Sequence, residues 1–363
     1  MSRDLLSGLW TASELPRFSA AEWELLLAQA RVTRLLARLA LRLQSQGWQS
    51  AVPPRVWQHF DSALRVAAAL RRNVQQETRH LACALLSLNT PVVLLKGAAY
   101  IAADLPAGRG RLFSDIDILV RRDRLQDVEL ALMAAGWIPE KLKPYDDRYY
   151  RQWMHELPPL QHVRRQTHLD VHHTLAPPTS RYVIDGSDML ARSLPISQHE
   201  EAGAQQLRML APTDLVLHSA LHLMQEGEFN AGLRDLLDIR DLLIDFGEQA
   251  GFWPSLAARA QALGLEQVLA QVLAQLHRLF AFSPPKSPSA PTSKPRSGSL
   301  LKFLLPRVLA PPDPARETLT TLVARQLMYV RSHWLRMPWY QIVPHVLRKV
   351  WARIADRRAA ANT

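Results

Sequence analysis

Residues 94–120 have the sequence LLKGAAYIAADLPAGRGRLFSDIDILV, in which one apolar run ends at Lys96 and Gly97 and another contains two aspartates. Side chains alternate faces along a β-strand, so Asp115 and Asp117 would share one face, about 6–7 Å apart. Two carboxylates at this spacing in a partly buried strand repel each other unless a cation or a proton compensates. Mg²⁺ and Mn²⁺ prefer such hard oxygen ligands. The pair therefore predicts a divalent metal site, and an exposed strand end is the alternative.

Two flanking motifs favour the metal site. Upstream, VVLLKGAA carries a strand into Gly97 and then a helix, a turn that favours an anion, and Lys96 adds a positive charge. Downstream, THLDVHHTL places His168, Asp170 and His172 on one strand face, so Asp170 would be a third carboxylate. Three aspartates on two strands beside a glycine turn suit two-metal phosphoryl or nucleotidyl transfer, in which one carboxylate can accept a proton from the attacking hydroxyl.

Hydrophobic periodicity divides the chain into helical and mixed stretches. Helical spacing fills residues 20–89 and returns over 205–282, while strands alternate with helices between them. A Pro-, Ser- and Lys-rich segment predicts a flexible linker. The predicted organisation is a helical N-terminal region (1–89), an α/β-type core (90–204), a helical domain (205–282), the linker (283–299) and a basic amphipathic helical tail (300–363).

Composition and charge limit the compartment and the partners. The chain has 363 residues, 48% of them hydrophobic, and a net charge of +11. From Ser283 onward there are 14 Lys and Arg against 3 Asp and Glu, so the preceding body is neutral and a nucleic-acid partner is not expected. The single Cys83 excludes an internal disulfide. Without a signal peptide or a run of about 18 apolar residues, we predict a cytoplasmic protein, either free or peripheral at a membrane.

The tail leaves two interpretations open. Its apolar residues between Ile342 and Ile354 fall on one half of a helical wheel, with Arg348 and Lys349 opposite. Docking of residues 300–363 onto the protein itself is favoured over contact with an anionic membrane surface or another protein.

The central motifs resemble a known superfamily. LLKGAA, RLFSDIDILV and LDVHHTL look like the polymerase-β-type nucleotidyltransferases, and more closely their uncharacterised bacterial branch. The branch has a Lys-Gly turn, an Arg shortly before Asp-x-Asp, and an Asp-x-His motif. The resemblance continues through DLVLHSALHLM and LRDLLDIRDLL and covers about residues 80–245. It implies an α+β fold, with a small mixed β-sheet nucleotidyltransferase core flanked by helices and helical N-terminal and C-terminal regions.

The resemblance also implies a reaction and a set of site residues. Three aspartates match the catalytic and metal-binding positions: Asp115, Asp117 and Asp170. Five further residues are expected to contact the nucleotide or support the metal: Lys96, Gly97, Arg111, Ser114 and His172. The implied reaction moves a nucleoside monophosphate from a triphosphate, with ATP as the expected donor, to a hydroxyl of a small molecule or protein. Pyrophosphate is released, and Mg²⁺ or Mn²⁺ is the cofactor.

Three other functions remain as alternatives. In the first, the acceptor is a protein, and the enzyme attaches AMP to a Ser, Thr or Tyr hydroxyl of a partner. The protein would be an inactive nucleotide-binding or scaffolding protein, with a membrane- or partner-binding basic tail, if the site has decayed. Modification of nucleic-acid 3′ ends ranks lower, because the body lacks an aromatic and basic RNA-binding module.

Two helical motifs have competing interpretations. His218 and His222, with Asp214 one turn earlier, have spacing that suits zinc, but the strongly apolar run favours packing. The segment GLRDLLDIRDLL predicts a salt-bridged helix surface, with Arg234 or Asp238 facing the nucleotide as the alternative.

Overall fold

A mixed β-sheet of seven strands lies at the centre of the protein. The strands are β1 (Val92–Leu94), β2 (Asp115–Leu119), β3 (Trp137–Pro139), β4 (Leu160–His162), β5 (His168–His172), β6 (Leu194–Pro195) and β7 (Leu207–Met209). Their order across the sheet is β3-β4-β5-β2-β1-β7-β6. The pairs β2–β5 and β1–β7 are parallel and the other pairs are antiparallel.

The protein was analysed as a computed structural model that describes residues 5–140, 150, 154–196, 207–285, 298–311 and 318–337. Within these residues, thirteen helices surround the sheet. They are α1 (Leu5–Thr11), α2 (Ala20–Val32), α3 (Leu36–Ser45), α4 (Pro54–Leu85), α5 (Lys96–Ala102), α6 (Leu125–Ala134), α7 (Gly186–Arg192), α8 (Pro212–Gln225), α9 (Gly232–Gly247), α10 (Phe252–Ala262), α11 (Glu266–Phe280), α12 (Ser299–Leu309) and α13 (Leu319–Arg336). The predicted α+β class is confirmed.

The two central strands place apolar side chains on one face and carboxylates on the other. Ile118 of β2 and Val171 of β5 are fully buried. The parallel register pairs Asp117 directly with Asp170, one residue away from these apolar partners. Because side chains alternate along both strands, the sheet itself brings the two aspartates side by side.

Local sequence signals explain several helix boundaries. Ser19 and Glu22 form a capping box at the start of α2, in which each side chain accepts a hydrogen bond from the other's backbone N–H. Pro54 occupies the first turn of α4, where its missing N–H costs nothing. Gly136 takes a positive φ of 98° just after α6, which ends the helix before β3.

Helix α8 lies in the middle of the C-terminal helices and is buried on nearly all sides. Strand β7 directly precedes α8 and adds to the sheet beside β1, so these three residues of the predicted helical stretch 205–282 are extended. The division of the chain into domains stays a prediction.

The described part of the predicted tail packs against the rest of the protein. Leu305 of α12 is 2% exposed and Met328 of α13 is fully buried. The Arg331 guanidinium donates a hydrogen bond of 2.7 Å to the Met224 carbonyl at the end of α8. The predicted amphipathic stretch 342–354 and most of the predicted linker lie outside the described residues. Among the helices that are described, none combines the length and the apolarity that crossing a membrane requires.

Candidate active site

A cleft with a volume of about 310 Å³ opens above the carboxylate-bearing face of the central strands. Strand β2 and the start of α5 form its floor, and α8 and α9 form one wall. Six of the predicted residues line this cleft: Lys96, Gly97, Arg111, Ser114, Asp115 and Asp117. The prediction that these residues act on a nucleotide stays a prediction, but the fold does gather them around one space.

Asp115 and Asp117 line the cleft, and a third carboxylate, that of Asp170, lies next to them outside its lining. The ligand oxygens of Asp115, Asp117 and Asp170 all lie within 4.8 Å of one another. Asp115 is exposed, Asp170 is partly buried and Asp117 is only 6% exposed. Ser114 donates a hydrogen bond of 2.7 Å from Oγ to Asp115 Oδ1. A cluster of hard oxygen donors fits Mg²⁺ or Mn²⁺.

Asp117 is held from two sides by positively polarised groups. Lys96 Nζ lies 3.3 Å from Asp117 Oδ1, and His172 Nε2 lies 3.0 Å from the same oxygen. Burial alone would raise the pKa of Asp117, but Lys96 and His172 outweigh burial and hold this pKa well below its ordinary value. Asp117 is therefore ionised at neutral pH.

The backbone around Lys96 sets this contact. Lys96 has a positive φ of 43°, which is uncommon for a residue with a side chain. The preceding Leu95 donates its N–H to the Asp117 carbonyl at 2.9 Å, which ties the turn to β2. The left-handed backbone conformation of Lys96, next to a residue that is hydrogen-bonded to β2, indicates a constrained position beside the carboxylates.

Asp170 has the opposite electrostatic environment. Burial, with the negative charges of Asp117 and Glu156, raises the pKa of Asp170 to about 7. Asp170 therefore keeps its proton to a much higher pH than Asp117 does. The sequence could predict that the third carboxylate joins the pair, but not that its pKa differs so much from that of Asp117.

Arg111 reaches the cleft from the loop before β2. Its Nε donates a hydrogen bond of 2.7 Å to Asp238 Oδ2 on α9, and its guanidinium lies 5.0 Å from the centre of the Phe113 ring. A Cβ atom on Gly97 would lie 2.3 Å from Arg111 Nη1 and 2.4 Å from Phe113. Gly97 was predicted to let a phosphate approach the backbone. In this conformation its missing side chain makes room for Arg111 and Phe113.

Asp238 joins Arg111 to the N-terminal helices. Arg38 of α3 forms ion pairs with Asp238 and with Asp241, and Asp238 is only 2% exposed. The segment GLRDLLDIRDLL was predicted to form a salt-bridged surface. That prediction is wrong for Asp238 and Arg234, which are both buried, and Asp238 is enclosed by ion pairs with Arg38 and Arg111. Both residues line the cleft, as the alternative interpretation required.

His172 lies behind Asp117 and does not line the cleft. It is 5% exposed, and its Nδ1 lies 3.3 Å from Glu156 Oε2. Glu156 pairs its backbone with His172 as an isolated bridge and was missed by the sequence reasoning, since HELPP shows neither strand nor helix periodicity. Arg34 was also missed. It lines the cleft from the turn between α2 and α3, where it takes a positive φ of 58°.

The two α8 histidines differ in position, because His218 is buried whereas His222 is partly buried and lines the cleft. Arg259 Nε donates a hydrogen bond of 2.5 Å to Asp214 Oδ1, and Arg192 Nε donates a longer one to Asp214 Oδ2. Burial lowers the pKa of His218 to about 3 and lowers that of His222 well below its ordinary value. Among the described residues, the clusters that could hold a metal ion do not include Asp214, His218 or His222.

Comparison with known proteins identifies a family. Residues 19–281, well over half of the chain, match the family described as uncharacterised nucleotidyltransferase. No curated protein matches the chain in sequence.

Three solved structures show a distant likeness. The crystal structure of ANT(2″)-Ia in complex with adenylyl-2″-tobramycin is 13% identical, with a TM-score of 0.34, and the match covers 56% of this chain and 98% of that chain. A solution structure of ANT(2″)-Ia is 15% identical, with a TM-score of 0.33 and coverage of 55% and 98%. An antigenic nucleotidyltransferase-like protein from Paracoccidioides brasiliensis is 15% identical, with a TM-score of 0.28 and coverage of 60% and 92%.

Proposed function

The chain belongs to the uncharacterised nucleotidyltransferase family, and from that premise we propose that it is a metal-dependent enzyme that moves a nucleoside monophosphate from a triphosphate to a hydroxyl acceptor. ATP is the proposed donor, and the acceptor is a small molecule or a protein side chain. One observation carries the proposal. The oxygens of Asp115, Asp117 and Asp170 converge within 4.8 Å beside a cleft that also holds Lys96 and Arg111.

The donor set supports a hard divalent cation. Three carboxylates within reach of one another fit Mg²⁺ or Mn²⁺, and Asp115, Asp117 and Asp170 would hold it. When bound, the cation would offset the charge of the carboxylates and of the triphosphate and would polarise the reacting phosphate.

The positive residues of the cleft would bind the triphosphate. Lys96 is only 19% exposed at its side chain and remains charged, because Asp117, Asp115 and Glu156 outweigh burial and raise its pKa. Arg111 is fixed by Asp238 and by stacking on Phe113, so little side-chain entropy remains to be lost when a phosphate binds. Ser114 and the Gly97 turn lie at the same end of the cleft.

The carboxylates would also handle the proton. In the proposed reaction, the acceptor oxygen attacks the α-phosphorus, the bond from that phosphorus to the β-phosphate oxygen breaks, and pyrophosphate leaves with the electron pair. The acceptor hydroxyl loses its proton to a carboxylate in this step. We assign that role to Asp170, because Asp117 is already engaged by Lys96 and His172.

Calorimetric titration tests the donor site. The full chain is titrated with non-hydrolysable analogues of the four ribonucleoside triphosphates, with and without Mg²⁺. We expect micromolar binding of the ATP analogue that requires Mg²⁺ and disappears in Asp115→Asn. The matched control is Asp123→Asn, which neutralises an exposed carboxylate that pairs with Arg121 shortly after β2. Equal binding by wild type and Asp115→Asn would refute the assignment.

A product assay tests the transfer itself. The protein is incubated with ATP, Mg²⁺ and a panel of hydroxyl compounds and Ser-, Thr- and Tyr-containing peptides, and products are analysed by mass spectrometry. We expect an acceptor that gains the mass of AMP together with release of pyrophosphate. Turnover at the wild-type rate by Asp115→Asn would contradict the proposed chemistry.

A further inference from the structure

A second cluster of metal-binding side chains lies on the far side of His172 from Asp117. Ligand atoms of His155, Glu156 and His172 lie within 4.8 Å of one another. His155 and His172 have ring centres 5.1 Å apart, with an angle of 39° between their planes. The triphosphate chemistry proposed above uses neither His155 nor Glu156, so this cluster needs its own explanation.

The hydrogen bonding of His172 determines which nitrogen faces the cluster. Nε2 lies 3.0 Å from Asp117 Oδ1, and an ionised carboxylate can only accept, so Nε2 carries a hydrogen. Nδ1 is buried and forms no hydrogen bond with any residue that the structure describes, although Glu156 Oε2 is 3.3 Å away. A buried polar atom without a hydrogen bond is costly and calls for a partner.

We propose that His155, Glu156 and His172 form a second cation site, which binds a borderline transition-metal ion such as Zn²⁺. Two imidazole nitrogens and one carboxylate oxygen are a donor set that favours such ions over Mg²⁺, which prefers oxygen ligands and water. Metal-binding histidines also commonly donate their second ring N–H to a carboxylate. His172 has this arrangement, because its Nε2–H points to Asp117.

The distances suit a tetrahedral ion. Two ligand atoms that each lie about 2.0–2.1 Å from one tetrahedral ion are about 3.3 Å apart. His172 Nδ1 and Glu156 Oε2 already have that separation, at 3.3 Å. His155 Nε2 lies 3.9 Å from Glu156 Oε2, within the 4.8 Å that spans the three ligand atoms, so His155 would be the third protein ligand. The fourth position would belong to water.

The proposed ion would help to hold Asp117 of the cleft in place through His172, which lies between the ion and Asp117. Bound at Nδ1, it fixes the His172 ring and therefore keeps the Nε2–H on Asp117. It also ties residues 155–156 to β5, where their backbone already pairs with the strand. The site binds its ion without nucleotide, so it can be tested apart from the transfer reaction.

Calorimetry on metal-free full-length protein, titrated with ZnCl₂ alone, tests the site. We expect one equivalent to bind to the wild type and to Asp115→Asn, and at least tenfold weaker binding in Glu156→Gln and His155→Gln. The matched control is His168→Gln on the same strand. His168 Nδ1 lies 3.1 Å from Glu140 Oε1, an exposed histidine–carboxylate pair outside the described metal-binding clusters. His168→Gln should bind like the wild type.

Two outcomes would overturn the proposal. Wild-type binding of Zn²⁺ that survives in Glu156→Gln and is lost in Asp115→Asn would place the ion on the aspartates. No binding of Zn²⁺ would overturn it as well, and His172 would then lie between Asp117 and Glu156 without an ion.

A measurement without substitutions guards against variants that fold poorly. Co²⁺ bound to the wild-type protein should show the visible absorption of a low-coordinate site with nitrogen ligands. A spectrum of Co²⁺ in an all-oxygen octahedral site would contradict the proposal. If the wild-type protein binds nucleotide in the presence of Mg²⁺ but does not bind Zn²⁺, the second cation site is rejected and the proposed function is unaffected.

Discussion

Asp238→Asn tests whether α9 holds Arg111 in place through one buried carboxylate. Asp238 accepts from Arg38 and from Arg111, and its side chain is only 3% exposed. The amide preserves the shape but removes the negative charge between two guanidinium groups. The positive charges of both arginines then remain buried with less negative charge beside them, and a buried charge without its partner is strongly destabilising.

The structure sets the expected magnitude. Removing one partner of a buried ion pair costs about 3–5 kcal/mol. Arg38 keeps Asp241, and Arg111 keeps a longer contact of 3.6 Å to Asp235, so we expect about 3 kcal/mol, at the lower end. With a urea m-value of about 3 kcal/mol per molar, the unfolding midpoint should fall by about 1 M.

Urea unfolding of the full chain, followed by circular dichroism, measures this loss. Asp61→Asn is the control, since Asp61 is 47% exposed and pairs with Arg65 on one face of α4. An exposed pair of this kind contributes at most about 1 kcal/mol. Binding of the ATP analogue should also weaken in Asp238→Asn, because Arg111 loses its 2.7 Å anchor. A loss of stability below about 1 kcal/mol with an unchanged m-value would refute the reasoning.

Three further predictions follow from features of the site and the tail. The raised pKa of Asp170 favours the protonated carboxyl in the folded state, so the free energy of unfolding should fall by at most about 4 kcal/mol as pH rises from about 4 to about 7. Asp170→Asn should flatten this part of the plot of melting temperature against pH, and an unchanged slope in the variant would contradict the role of Asp170. Gly97→Ala would place a Cβ 2.3 Å from Arg111 Nη1, so nucleotide-analogue affinity measured by calorimetry should fall at least tenfold, and wild-type affinity would show that Arg111 moves freely. Deleting residues 298–363 removes the buried contacts of α12 and α13, so the melting temperature should drop by several degrees; an unchanged value would indicate that these helices do not stabilise the core.

The sequence predicted the parts of the fold that depend on neighbouring residues. Alternation in DIDIL and HLDVH is enough to place Asp115, Asp117 and Asp170 on strand faces. The chain's family membership also agrees with the motif-based resemblance. The direct pairing of Asp117 with Asp170 was not predictable in the same way, because strand register depends on contacts across the whole sheet.

Electrostatic details required the three-dimensional structure. From the sequence, Asp115 and Asp117 appear as two carboxylates that repel each other. In the structure, Lys96 and His172 stabilise the ionised form of Asp117 and lower its pKa, whereas burial and neighbouring negative charges raise the pKa of Asp170. The sequence around Asp238 has the pattern of an exposed helix face. The burial of Asp238 was not predictable from that pattern, because its partners, Arg38 and Arg111, come from distant parts of the chain. No local periodicity encodes such partners.

The contact between Arg38 and Asp238 also limits when the site can assemble during synthesis. These residues are 200 positions apart in the chain. At translation rates of about 5–20 residues per second, Asp238 is added roughly 10–40 s after Arg38. During that interval the N-terminal helices carry an arginine without its eventual partner, and the loop with Arg111 lacks its anchor. A nascent chain that ends before α9 therefore contains all three aspartates of the candidate site but not the ion pairs that hold Arg111 over the Gly97 turn.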